Sequence, residues 1–247
     1  MMKRRKRHER HREASHFPRE LRILYADDAV VALDKPPGLL AVPIKGSSAP
    51  SALSLLSAEL KTQNQRQRAL VVHRIDRFAS GIILFAKTRK DREALVRQFL
   101  DHQPLREYLA VVRGNLRAPE GKLVHFFRKR GMSQQLTGER DPEGARAELD
   151  YRVERSFRGA SLVRIWLKTG LQNQIRAQFL AIGHPVVGDR KYNSEEAAER
   201  RIHRVALHAT RLDFVHPRSG KRVKLECGPP ADFRSLLSAL ARPARGG

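Results

Sequence analysis

The sequence predicts an α+β fold: a mixed, mostly antiparallel sheet with a few flanking helices. Short runs with strand character outnumber helical ones along the chain. The helical patterns do not alternate strictly with strands, as repeated βαβ units would require. In Ser161–Lys168, Val163, Ile165 and Leu167 alternate with Arg164, Trp166 and Lys168. That is the pattern of a strand with one packed face and one partly wet face.

The N-terminal 17 residues, MMKRRKRHERHREASHF, are nearly all charged or polar. They offer too little apolar surface to offset ordering entropy, so residues 1–18 are expected to form a disordered basic tail. A single folded domain is expected over residues 19–241, followed by a short disordered end at 242–247. Ile23–Tyr25 and Val30–Leu33 read as a hairpin across Ala26–Ala29. Pro36, Pro37 and Gly38 interrupt regular structure. Ser51–Leu60 has helical spacing with Ser51 as N-cap, and Thr88 caps a second helix with Asp91 three residues on. Glu107–Arg113 reads as a strand. Residues 114–147, rich in Gly, Pro and charge, read as a surface excursion with one strand near Lys122–Phe127. Leu149–Val153 and Ser161–Lys168 read as paired strands. Leu171–Ile182 reads as a helix stopped by Gly183. His203–Ala209, Leu212–His216 and Arg222–Glu226 read as three more strands, and Pro229–Pro230 open a terminal helix with a Phe233, Leu236, Leu237 and Leu240 stripe.

Composition narrows the partners. The 247 residues carry 49 Lys and Arg against 26 Asp and Glu, a formal net charge of +23. A polyanion is the partner such an excess suits. No apolar run approaches the roughly 20 residues needed to span a bilayer, and no amphipathic basic helix suggests a membrane surface. The single cysteine, Cys227, cannot form an internal disulfide, which fits a reducing cytoplasm. No cluster of Cys and His has zinc-like spacing, so no metal is expected.

The stretch Val71–Lys87, VVHRIDRFASGIILFAK, is the centre of the chemistry. It reads as a strand, a polar crossing, a turn at Ser80–Gly81 and a second strand. Asp76 is one carboxylate among His73, Arg74 and Arg77. A carboxylate anchored at the mouth of two core strands suits catalysis; a solvated loop with a surface salt bridge is the plainer reading.

HRIDRFASG resembles the HRLDxxTSG signature of RluA-type pseudouridine synthases. Four further blocks resemble that family in its order: DDAVVALDKPPGLLAVP at Asp27–Pro43, YLAVVRG at Tyr108–Gly114, TGLQNQIRAQFLAIGHPVVGDRKY at Thr169–Tyr192, and LHATRLDFVHP at Leu207–Pro217. The resemblance implies a curved mixed sheet with an RNA-binding cleft across its middle. It also implies isomerisation of a uridine in ribosomal or transfer RNA, with no cofactor. It makes Asp76 the catalytic nucleophile or base, Arg176 its partner and Tyr108 the ring against the extruded uracil. A guanidinium at Arg176 can hold a carboxylate in bidentate geometry. Arg74, Arg77, His73, Gln174 and Asn173 are then expected on the RNA, although His73 also reads as a hydrogen-bonded structural residue. RNA is the expected partner, not DNA, and a monomer is expected. The alternative is a non-catalytic RNA-binding or ribosome-assembly protein on the same fold. The family's GRTHQIR is here Gly170-Leu171-Gln172-Asn173-Gln174-Ile175-Arg176, which lacks its first Arg and its His. Asp76 and Arg176 stand, so this departure bears on target choice.

The basic tail carries its own prediction. Within residues 1–12, Lys3, Arg4, Arg5, Lys6, Arg7, Arg10 and Arg12 stand against Glu9. Such an arm touches phosphates without reading bases. Deleting residues 2–16 should weaken RNA binding at low salt and flatten the slope of log affinity against log salt by roughly 1.4 to 2.8 units. Titrations across a salt series measure this, and an unchanged slope makes the tail a bystander.

Overall fold

The computed structural model describes residues 21–63, 68–131, 133–192 and 201–242. The expected N-terminal tail and all but Arg242 of the expected C-terminal end lie outside these residues. The strands are β1 (Arg22–Ala26), β2 (Val30–Lys35), β3 (Leu70–Val71), β4 (Ser80–Ala86), β5 (Leu105–Arg113), β6 (Glu120–Arg130), β7 (Ser133–Thr137), β8 (Ala145–Phe157), β9 (Ala160–Leu167), β10 (Leu207–Val215) and β11 (Arg222–Glu226). The helices are α1 (Ala52–Gln63), α2 (Arg89–Leu100), α3 (Gln174–Ala181) and α4 (Ala231–Ala241). All the strands join one open sheet in the order β1-β2-β4-β10-β5-β9-β8-β6-β7, with β3 on β4 and β11 on β10. Every named ladder is antiparallel except β4–β10, which runs parallel through His208↔Ser80 and Ala209↔Gly81. The α+β class with a mixed, mostly antiparallel sheet is the one the sequence predicts. Among the described residues no helix is long and apolar enough to cross a membrane.

The continuous apolar runs of β2 and β4 follow from burial on both faces. Ala32, Ile82 and Leu84 pack in one core with Leu95 and Phe99 of α2. Leu33, Ile83 and Phe85 pack in another with Leu56 and Leu60 of α1. The largest core joins β5, β8, β9 and β10 to α3 through Ile175 and Phe179 and to α4 through Phe233, Leu236 and Leu240.

The helix ends form as their sequences dictate. Ser51 and Ser54 cap α1 reciprocally, each backbone N–H donating to the other's hydroxyl at 2.9 and 3.1 Å. The Asp91 N–H donates to Thr88 Oγ1 at 3.2 Å and opens α2. At the end of α3, Gly183 has φ +78. Its N–H donates to the Leu180 carbonyl, and that of His184 to Phe179. This pair of bonds is a Schellman stop.

Four expectations need correction. Ser80–Gly81 is not a turn but the start of β4; the turn is one step earlier, closed by Ala79 N–H donating to the Asp76 carbonyl at 3.2 Å. The helix expected from Leu171 begins at Gln174, because Asn173 is left-handed at φ +56 and the Gln174 side chain closes the preceding turn on the Leu171 N–H. The strands expected at His203–Ala209 and Leu212–His216 are one strand, β10, whose register shift between Ala209 and Arg211 blurs its alternation. Residues 114–147 are no surface excursion: β6 and β7 form a hairpin that ends the sheet, and β6 pairs along most of its length with β8.

Candidate active site

Asp76 opens a four-residue turn, Asp76-Arg77-Phe78-Ala79, at the head of β4. This turn is fastened from below by Lys35, the last residue of β2, whose side chain is completely buried. Its ammonium donates to the carbonyls of Pro36 and Leu39, both at 2.9 Å, of Arg77 at 3.0 Å and of Ala79 at 2.7 Å. Burial pulls the Lys35 ammonium down to about 7, opposed by the Asp76 charge. The four carbonyl oxygens also favour the charged form. A second stitch joins the same two loops: Gly38 N–H donates to the Arg77 carbonyl at 2.8 Å, and Arg77 Nε to the Gly38 carbonyl at 2.9 Å.

The turn then enters the middle of the sheet. Gly81 has φ +106, and a Cβ there would collide with the Ala209 backbone, so only glycine lets β4 lie this close to β10. Beside it, Ser80 Oγ and His208 Nδ1 lie 2.9 Å apart, and His208 Nε2 is 2.9 Å from the Cys227 carbonyl. A carbonyl only accepts, so Nε2 carries the proton and Nδ1 accepts from Ser80. This buried chain ties β4, β10 and the segment after β11 together beneath the turn.

Arg176 reaches Asp76 from α3, on the far half of the sheet. Its Nη1 donates to Asp76 Oδ2 at 3.2 Å and to Asn173 Oδ1 at 2.7 Å. The bidentate fork expected for Asp76 goes elsewhere: Nε and Nη2 both donate to Asp189, each at 2.6 Å. Asp189 is itself buried and also accepts from the Lys191 and Tyr192 N–H groups. Burial opposes the Arg176 charge, but Asp189 and Asp76 outweigh it and raise its value. The guanidinium also sits 5.1 Å from the centre of the Tyr192 ring. Asp76 thus meets a cation whose planar fork is already locked by another carboxylate.

Tyr108 stands on β5 in register with Ala209 on one side and Ile165 on the other. Burial, with the Asp76 charge adding to it, pushes its phenol up to about 12, so it is neutral across the physiological range.

The residues expected on RNA divide. Arg74 and Arg77 are exposed. The other three make hydrogen bonds within the protein. His73 Nε2 accepts from the Leu84 N–H at 3.1 Å and its ring stacks on Phe99 at 4.6 Å; burial and the Arg106 charge pull it down to about 3, so it is neutral. Gln174, 2% exposed, bonds the Thr169 hydroxyl, the Leu171 N–H, the Glu148 carbonyl and Gln178. Asn173 is buried and holds Arg176. The departure from the family's GRTHQIR pattern at Asn173 therefore meets the guanidinium that holds Asp76.

Sequence reasoning passed over Lys35 and Asp189. Both lie inside motifs already recognised, Lys35 in DKPPGL and Asp189 in VVGDRKY. A charged residue directly beside a Pro or Gly, Lys35 before Pro36 and Asp189 after Gly188, was the available signal. Among the described residues, no three His, Cys, Asp or Glu side chains converge as a metal site would require.

The model of the RNA pseudouridylate synthase family matches residues 29–181, from β2 to the end of α3. The chain belongs to this family. The match takes in Lys35, Asp76, Tyr108 and Arg176. Among family members, the ribosomal large subunit pseudouridine synthase D of Nitrosomonas europaea is 34% identical over 232 residues, covering 89% of this chain and 65% of that protein. The protein of the same name from Zymomonas mobilis is 31% identical over 240 residues, covering 93% of this chain and 75% of its own. The chain thus spans less than two thirds of the first relative's length and three quarters of the second's. The fold is that of solved members: human RNA pseudouridylate synthase domain containing 4 superposes with a TM-score of 0.73 at 21% identity, covering 89% of this chain and 92% of that one.

Proposed function

We propose that this chain is an RNA pseudouridine synthase that isomerises a uridine of large-subunit ribosomal RNA, with Asp76 as its catalytic carboxylate. One observation carries the reading: Asp76 opens a turn clamped to the sheet, 3.2 Å from a buried guanidinium supplied by a different element. The names of the relatives support ribosomal RNA as the substrate. The reaction breaks the bond from uracil N1 to the ribose and joins the base again through C5. N1 gains a proton, C5 loses one, and no electrons are exchanged. A carboxylate can act in such glycosyl chemistry as nucleophile or base. Arg176 holds Asp76, Tyr108 offers a neutral phenol and an aromatic face, and Arg74 and Arg77 meet phosphate. The chain works as a monomer, in the cytoplasm where its substrate is made.

Mapping pseudouridine in total RNA from cells with and without the gene tests this. Loss of a pseudouridine from large-subunit ribosomal RNA is the expected result. Loss from transfer RNA alone would overturn the substrate, and an unchanged map would favour a non-catalytic RNA-binding protein.

Arg176→Lys tests the partner. Lysine keeps the charge but cannot span the two Asp189 oxygens while reaching Asp76 and Asn173. The displaced carboxylate should lower turnover on the order of 100-fold. Tritium release from RNA containing 5-tritiated uridine is the assay; wild-type turnover would mean that charge alone suffices.

A further inference from the structure

We infer that Phe78 is a stacking platform for a nucleobase flanking the target uridine. The inference rests on the chain acting on RNA as proposed above, and it names a contact that selects the substrate. Phe78 is 47% exposed and is the one aromatic side chain among the large apolar groups exposed in the described residues. It occupies the outer corner of the Asp76–Ala79 turn, two residues from the carboxylate. An exposed phenylalanine at a loop tip contributes nothing to the core, and a lone apolar group on the surface is ordinary. What sets this one apart is the rigidity beneath it.

The carbonyl of Arg77, immediately before the ring, accepts from both Lys35 Nζ and the Gly38 N–H, and that of Ala79, immediately after it, accepts from Lys35 Nζ. Backbone on both sides of Phe78 is therefore fixed to the sheet before any ligand arrives. The Arg77 guanidinium lies 5.2 Å from the ring centre, with its Nε held by the Gly38 carbonyl. Ring and cation form one preassembled surface: an aromatic face for a base and a positive charge for the adjoining phosphate. Aromatic faces accept any base and are strong contacts when the backbone that carries them is already ordered. At the tip of the catalytic turn, the base within reach is a neighbour of the uridine being turned toward Asp76. The platform would therefore favour sites whose flanking base stacks well, a purine over a pyrimidine.

The test uses the full chain and, as probe, protein-free ribosomal RNA labelled with 5-tritiated uridine from cells lacking the gene. Phe78→Ala, Phe78→Leu and Phe78→Trp are compared with wild type for kcat, KM and the dissociation constant. Loss of one base stack is expected to raise KM and Kd roughly 5- to 100-fold in the Ala and Leu variants. The Trp variant should bind at least as well as wild type, and kcat and the melting temperature should hardly move. Leu matching wild type while Ala is weak would overturn the inference, since that is apolar packing without stacking. Ala matching wild type would also overturn it; the ring would then face a protein. If wild type binds the RNA but releases no tritium, the proposed activity fails, and the stacking inference is still decided by the order of the four dissociation constants.

Discussion

Asp76→Asn should abolish tritium release from 5-tritiated uridine RNA while leaving RNA affinity nearly unchanged. Asparagine is almost isosteric with aspartate and can still accept from Arg176 through its amide oxygen. It carries no charge and is no useful nucleophile or base. Removing a group that reacts directly costs on the order of 10⁴-fold or more in turnover. The fold should tolerate the change. Asp76 shares one N–H of Arg176 at 3.2 Å and its side chain is 22% exposed, whereas Asp189 keeps both remaining arms of the guanidinium. A partly exposed, singly bonded pair contributes about 1 kcal/mol or less, so unfolding should scarcely shift. Turnover above a few per cent of wild type would remove Asp76 from the chemistry.

Lys35→Met should destabilise the protein by about 3 kcal/mol or more. Methionine matches the length of the lysine stem and is easily buried. It also avoids desolvating a charge, which works in its favour. Against this, the carbonyls of Pro36, Leu39, Arg77 and Ala79 would lose their common donor. Each buried acceptor left unmatched costs roughly 1–3 kcal/mol. The Arg77 carbonyl keeps the Gly38 N–H, and the three oxygens left without a donor outweigh one charge already matched to them. For a domain of this size the shift is about 6–12 °C in Tm, measurable by heat or urea unfolding. Turnover should fall even at temperatures where the variant is folded, because the turn bearing Asp76 loses its anchor. Unfolding at the wild-type urea concentration would show that the two loops hold together without the ammonium.

The sequence showed most clearly what is repeated locally. Paired strands at β8 and β9, the Thr88 cap and the Gly183 stop all follow from short patterns that neighbours in the chain enforce. It failed where a distant segment overrides a local preference. Ser80–Gly81 has turn composition, yet the Ala209 backbone draws it into a strand, and that contact spans more than a hundred residues. Asn173 and Gln174 look like polar groups at an exposed helix start, but Glu148, Gln178 and Arg176 take up their bonding capacity. The family motifs located Asp76, Tyr108 and Arg176. They could not show that Asp189 holds the guanidinium, because which carboxylate faces which arm is a matter of three-dimensional placement.

The position of β10 has a consequence for how the protein comes into being. In sequence it is almost the last strand, residues 207–215, yet in space it lies between β4 and β5. It is the strand that joins β1-β2-β4, which carries Lys35 and follows the turn of Asp76, to β5-β9-β8-β6-β7, which carries Tyr108 and precedes Arg176 in the chain. Such pairings across long chain separations form slowly, since loop closure precedes any gain from contact. A chain still being synthesised can complete either part but not both in register. Asp76 and Tyr108 are therefore brought onto one sheet only near the end of folding.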